Sequence, residues 1–215
     1  MTKRATRSKK EVVLVFGEDD NDTSAIRELL LALKPDMPTI RKMRTPPVLI
    51  KGVQQFKRHK NARAIANVVK AVAAVSNVRH VFAHQDCDAI EPAHVKLSKE
   101  IEAELASEGV EAIAVTPAWE IEAWWFLWPD AVVAVCSRWR RPARSGRRVG
   151  RIVDAKTTLR RSLRPRSREK PPRAYADSDS PKVAKNVRVL GLIDKLDAIS
   201  DSFDAFARRA RSASY

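Results

Sequence analysis

The sequence predicts an α/β protein with a mostly parallel sheet flanked by helices. Short apolar runs rich in β-branched residues alternate along the chain with longer segments in which apolar residues recur at helical spacing, the pattern of repeated strand and helix units. The chain has 215 residues, of which 44% are hydrophobic and 31% charged, a composition typical of a globular domain with a substantial core. We therefore expect one α/β domain with a basic insertion and C-terminal helices.

The elements of the first part follow in chain order. Residues 12–16 are a continuous apolar run, typical of a strand buried on both faces. A helix is expected next, with Asp22 or Thr23 as its cap. Residues 39–50 predict a short strand or two, and the apolar spacing of residues 61–75 predicts a second helix.

The alternation continues through the middle of the chain. Residues 78–83 and 110–115 predict strands, and residues 92–107 predict the helix between them. Residues 119–128 predict a fourth helix, which carries four tryptophans: Trp119, Trp124, Trp125 and Trp128. Aromatic side chains at this density favour either the core or an interface, so this helix is our candidate contact for a partner protein or a homodimer.

Charge and pattern divide the chain into four segments. These are a basic disordered arm (1–10), the α/β domain (11–136), a basic insertion or loop (137–173) and a helical part that packs on the same domain (174–215). A short helix is expected over residues 154–163. Further helices are expected from Ser180, which is followed by a proline suited to a first turn, and over residues 202–211.

The net charge of +15 is concentrated in two blocks. Residues 1–10 contribute +5 and residues 138–173 contribute +13, which leaves about −3 for the remainder. Such blocks usually bind polyanions or stay disordered, and we expect nucleic acid as the partner. The candidate phosphate contacts are Arg140, Arg141, Arg147, Arg148, Arg160 and Arg161.

Membrane and secreted classes are not expected. The basic stretch has no wide apolar face opposite its charges, and no apolar run is long enough for a membrane helix. The two cysteines give no disulfide framework, so the predicted location is the cytoplasm.

Carboxylates follow three of the predicted strands. In chain order they are Glu18 and Asp22, Asp86 and Asp88, and Glu120 and Glu122. Because the carboxyl ends of parallel strands meet at one edge of a sheet, these side chains are expected to converge. Crowded carboxylates repel one another, and a divalent cation keeps them ionised. The sequence therefore predicts a site for Mg²⁺ or Mn²⁺.

These motifs resemble a known family. Residues 12–22, with the helix after them, look like the first motif of Toprim-like domains, and Asp86-Cys87-Asp88 looks like the second. Residues 118–127 are similar to the Glu-x-Glu-x-Trp segment of a Toprim-like family of uncharacterised bacterial proteins allied to OLD-type nucleases. In this chain Gly17 precedes Glu18, and Asp19 stands where the family usually has glycine.

The resemblance implies a Mg²⁺-dependent nuclease, with a role in bacterial or phage defence. It implies Glu18 as general acid/base. Residues 154–156, 179–187 and 202–206 also look like the tail of those families, and by position in that tail Lys156, Lys182 and Lys185 are the candidate cations opposite the metal. A non-enzymatic nucleic-acid-binding protein with a structural metal is the main alternative. A small-molecule phosphatase and a receiver domain stay open as further alternatives, although the Asp-x-Asp and the basic stretch fit a receiver poorly. We expect His84 to have a surface or supporting role.

Overall fold

The structure, a computed structural model, describes residues 9–44, 55–143, 146–164 and 172–214. It confirms an α/β fold with a parallel sheet flanked by helices. Within these ranges the sheet has four strands, which are β1 (Glu11–Gly17), β2 (Thr39–Arg44), β3 (Asn77–His84) and β4 (Ile113–Val115). All pair in parallel, in the order β2-β1-β3-β4.

Helices cover both faces of this sheet. They are α1 (Asp20–Leu33), α2 (Gln55–Val75), α3 (Ala93–Ser107), α4 (Glu122–Trp125), α5 (Pro129–Val133), α6 (Ala155–Ser162), α7 (Ser180–Val189) and α8 (Asp201–Ser212). The apolar run of β1 alternates between two cores. Val13 and Val15 point into the larger core with α1, α4, α7 and α8, whereas Val12 and Leu14 point into the smaller core with α2 and α3.

Helix α1 begins one turn earlier than the sequence predicted, and its cap is Asp19. The Asp19 carboxylate accepts hydrogen bonds from the backbone N–H groups of Asn21 and Asp22, at 2.7 and 2.9 Å. Neither Asp22 nor Thr23 is the cap, so that prediction is wrong. Because Asp19 satisfies the free N–H groups of the first turn, the Asp22 carboxylate is left available for the sheet edge.

The prediction of a single helix over residues 119–128 is also wrong. Only Glu122–Trp125 is α-helical there, and Pro129 starts α5 instead of only ending the preceding helix. Trp124, Trp125 and Trp128 are at most 1% exposed and lie in the larger core. A contact with a partner protein or a second copy would therefore need a surface other than these three side chains.

Strand β4 is shorter than the predicted 110–115. Gly109, with φ of +78°, closes α3, and the N–H of Val110 bonds to the carbonyl of Leu105 at 3.0 Å. This helix-ending turn occupies the first residues of the expected strand.

The basic segment folds onto the body in its described parts. The expected short helix is α6, and Trp139, Val149, Leu159 and Leu163 are buried in the larger core. Residues 1–8, 45–54, 144–145, 165–171 and 215 lie outside the described residues, and with them most of the predicted arm and any second strand after residue 44. Within the described ranges, no helix has both the length and the apolar character that a membrane crossing requires.

Candidate metal centre

Hydrogen bonds continue past the ends of β3 and β4 and hold the two following loops together. The N–H of Gln85 bonds to the carbonyl of Val115 at 3.1 Å. Three further bonds join Cys87 to Pro117 (3.1 Å), Asp88 to Trp119 (2.9 Å) and Trp119 to Ala89 (2.8 Å). These backbone hydrogen bonds fix the Asp-x-Asp loop beside the segment that leads to Glu120 and Glu122.

Asp22, His84 and Asp86 form a cluster at the carboxyl edge of the sheet. One ligand atom from each lies within 4.8 Å of the other two. The His84 ring is flanked on both sides, with Nδ1 3.9 Å from Asp22 Oδ2 and Nε2 3.3 Å from Asp86 Oδ1. A β-carbon at Gly17 would lie 2.8 Å from Thr23 and 3.5 Å from the imidazole, so glycine here lets the start of α1 approach the strand end closely.

Asp86 is the electrostatic centre of the acidic edge. Loss of solvent is the largest cause of a raised pKa at four carboxyls, and the charge of Asp86 raises the pKa of each of them further. These are Glu18, Asp22 (to about 6), Glu120 and Glu122 (to about 8). The structure therefore brings together the carboxylates that follow three different strands, with Asp88 near enough to raise the pKa of Glu18 and Glu120.

The surroundings of His84 favour its protonated form. Burial alone would lower its pKa, but the carboxylates of Asp86, Asp22 and Glu18 outweigh burial and raise the pKa to about 9. The side chain is fully buried, so of the two roles expected for His84 the surface role is wrong, and the supporting role stays a prediction.

Lys156 and Glu122 belong to a second group of charged side chains, next to the cluster of Asp22, His84 and Asp86. The Nζ of Lys156 is 3.8 Å from Glu122 Oε1 and 3.2 Å from Asp177 Oδ1, and its backbone N–H donates to Glu120 Oε2 at 3.1 Å. The hydroxyl of Tyr175 donates to Glu122 Oε1 at 3.3 Å. Burial lowers the pKa of Lys156, but Glu122 and Asp177 raise it by more, so the net pKa is raised and the ammonium is retained.

Backbone strain is concentrated around this edge. In the part of the chain that the structure describes, the non-glycine residues with positive φ are Asp88 (49°), Trp119 (60°) and Asp154 (47°). Asp88 and Trp119 are joined by a backbone hydrogen bond between the two loops, and Asp154 precedes α6, which carries Lys156. Such conformations cost about 1–3 kcal/mol each and are commonest at functional sites.

The remaining predicted residues are placed differently. Lys182 pairs with the buried Asp179 at 3.0 Å, a carboxylate that Arg173 also binds. Three predicted phosphate-binding arginines are in ion pairs: Arg141 with Asp130 and Asp197, Arg148 with Asp201, and Arg160 with Asp177. The other three, Arg140, Arg147 and Arg161, are exposed, with no ion pair inside the described ranges.

Tyr175 and Asp177 are the site residues that the sequence reasoning missed, and His84 was expected only in a surface or supporting role. His84 had a usable signal, because it ends β3 and stands two residues before Asp86, a spacing that puts both side chains on one side of an extended chain. Tyr175 and Asp177 follow no strand, so no position rule links them to the edge.

The fold and the site define a parallel α/β protein whose sheet edge holds a cluster of carboxylates around a buried histidine, with a lysine beside it. Comparison with protein-family models, curated proteins and solved structures finds no match for this chain.

Proposed function

We propose that this chain is a Toprim-like, divalent-metal-dependent enzyme that cleaves phosphodiester bonds in nucleic acid. The observation that carries the proposal is the meeting of acids from three strand ends around Asp86, with Lys156 at the same edge. Phosphoryl transfer needs a metal and a cation arranged around one phosphate, and this edge has residues for both.

The residues fit a divalent metal ion. Asp86 Oδ1 is buried and has no hydrogen-bond partner within the described chain, and several acids share one electrostatic environment. Asp86 and Asp88 supply the oxygen ligands that Mg²⁺ or Mn²⁺ prefers, with Glu18, Asp22, Glu120 and Glu122 nearby. When bound, such an ion stabilises charge on the phosphate and lowers the pKa of a bound water.

Glu18 is the best-placed general acid/base. It is exposed at the rim of the cluster, and its pKa is raised by loss of solvent and by the charge of Asp86. A raised carboxyl pKa lies nearer to neutrality, where a group can both take and return a proton.

Lys156 is the best-placed cation for the phosphate. Its ammonium and the Arg160 guanidinium both contact Asp177 Oδ1, at 3.2 and 3.6 Å. Asp177 is half exposed, so a phosphate oxygen entering from solvent can replace its carboxylate between the two cations. Lys182 belongs to a different ion pair, and we assign it no part in the reaction.

Nucleic acid is the substrate that suits the charge distribution. The acidic edge repels a polyanion, while exposed arginines of the 138–173 segment attract it through phosphate contacts and counterion release. Binding and chemistry are then carried by neighbouring parts of one surface, since α6 bears Lys156, Arg160 and Arg161 together.

The test is cleavage of DNA and RNA, single- and double-stranded, by the full chain with Mg²⁺ or Mn²⁺ and with EDTA. We expect metal-dependent cleavage that is lost in the double variant Asp86→Asn with Asp88→Asn and retained in the control Asp194→Asn, whose side chain is 76% exposed. Equal cleavage by the double variant would rule out this site. Salt-sensitive binding without cleavage under any metal condition would instead favour the non-enzymatic alternative.

A further inference from the structure

The imidazole of His84 is a buried polar group without a hydrogen-bond partner among the residues that the structure describes. The residue is 2% exposed, and neither Nδ1 nor Nε2 makes a hydrogen bond to the described chain. Buried polar groups are nearly always hydrogen-bonded, so an exception calls for an explanation. Asp86 Oδ1, 3.3 Å from Nε2, is unpartnered in the same way.

The geometry around these atoms is that of a loose coordination sphere. Asp22, His84 and Asp86 each offer one ligand atom within 4.8 Å of the other two. Metal–ligand bonds of about 2.0–2.2 Å place neighbouring ligand atoms about 3 Å apart and opposite ones about 4 Å apart. All three side chains can therefore reach one ion at a single ring nitrogen if they move, since their ligand atoms already lie within 4.8 Å of one another.

We infer that His84 is a direct metal ligand, and that with Asp22 and Asp86 it forms a mixed nitrogen and oxygen site that selects a first-row transition-metal dication over Mg²⁺. Imidazole nitrogen binds such ions well, whereas Mg²⁺ strongly prefers oxygen ligands. The inference deepens the proposed function, because it concerns the ion at the same edge, but metal binding can be measured without any substrate.

Two other roles for the histidine can be told apart from metal coordination. A histidine that only supports the core would donate or accept a hydrogen bond, and neither ring nitrogen does so within the described part of the chain. A histidinium that only balances the carboxylates would leave the site an all-oxygen one, with no preference for Mn²⁺ through nitrogen. Detection of a nitrogen atom bound directly to the metal would distinguish the proposed ligand role from both of these roles.

The decisive experiment uses the full, EDTA-treated protein with Mn²⁺ as the probe. Pulsed electron paramagnetic resonance of the Mn²⁺ complex should show coupling to a directly bound ¹⁴N nucleus. Calorimetry should show Mn²⁺ binding at least about tenfold tighter than Mg²⁺, with His84→Gln losing about 10–100-fold in Mn²⁺ affinity and much less in Mg²⁺ affinity. The matched control is His80→Gln, on the same strand but four residues before the edge, which should leave both affinities unchanged.

The outcomes are separable from those of the proposed function. Absence of ¹⁴N coupling in the wild-type complex, or equal affinity for Mn²⁺ and Mg²⁺, would overturn the inference even if the protein cleaves nucleic acid. Nitrogen coupling in a protein that cleaves nothing would support the metal site and contradict the nuclease. The spectrum of the wild-type complex needs no variant, so the test holds even if His84→Gln fails to fold.

Discussion

Replacing Asp22 by asparagine should stabilise the metal-free protein at alkaline pH. The pKa of Asp22 is raised from 3.8 to about 6, mainly by burial and then by the charges of Asp86 and other acids, against the attraction of His84. Its side chain is 17% exposed, so solvent screens it little. Above pH 6 the ionised carboxylate therefore destabilises the folded state by about 3 kcal/mol relative to the unfolded chain.

Asparagine resembles the protonated acid in shape and removes this cost. The substitution also removes a favourable carboxylate in the first turn of α1, worth about 0.3–1 kcal/mol. We expect a net gain of about 2 kcal/mol at pH 8 and almost none at pH 4, where the carboxyl is largely protonated in the folded state. Urea unfolding in EDTA at the two pH values measures the difference.

The same change should reverse in sign when metal is present. At a Mn²⁺ concentration about 100 times its dissociation constant, the wild-type protein gains about 2.7 kcal/mol, and Asp22→Asn should lose most of that gain. Asp20→Asn is the control, because Asp20 is an exposed acid of the same helix whose carboxylate pairs with Lys42 at 3.0 Å. Its effect should stay within about 0.5 kcal/mol. Equal destabilisation by Asp22→Asn at pH 4 and pH 8 would refute the reasoning.

Two further predictions concern pH and salt. Asp22, Glu122 and His84 all have raised pKa values (about 6, 8 and 9), so the folded protein binds more protons than the unfolded chain, and its stability in EDTA should fall as pH rises from about 4 to 9. Unfolding curves that show rising stability across this window would contradict the assigned cluster. Alanine at three exposed arginines should lower the slope of log affinity against log salt for nucleic acid by about 2–3; the positions are Arg140, Arg147 and Arg161. Alanine at three exposed lysines of α2 and α3 should change the slope much less if nucleic acid binds at the three arginines. These lysines are Lys70, Lys96 and Lys99.

The acidic edge could be predicted because one rule of geometry governs it. Parallel strands place their carboxyl ends together, so the positions of Glu18, Asp86 and Glu120 after apolar runs were enough to expect convergence. The apolar run before Glu18 was also enough to expect β1, which is buried on both faces of the sheet.

Burial and pairing of single side chains could not be predicted in this way. Whether Asp19 or Asp22 caps α1 depends on which carboxylate meets the free N–H groups, and adjacent acids look alike in sequence. The burial of His84 depends on Gly17, because the absence of a side chain there lets the start of α1 approach the strand end next to the imidazole. The tryptophans of residues 119–128 have helical spacing only in part, and the turn around Trp128 depends on packing against Phe203 of α8.

The basic segment is part of the fold, and this decides how its role has to be tested. Trp139 and Leu159 are buried in the larger core, and the indole N–H of Trp139 bonds to the carbonyl of Arg173 at 2.8 Å. Deleting residues 138–173 would therefore remove core side chains along with the positive charge. It would also remove Lys156 from Glu122, so a loss of activity could come from unfolding, from weaker binding or from the missing cation. Substitutions of exposed arginines that leave the packing of α6 unchanged therefore test nucleic-acid binding without disturbing the carboxylate cluster at the sheet edge.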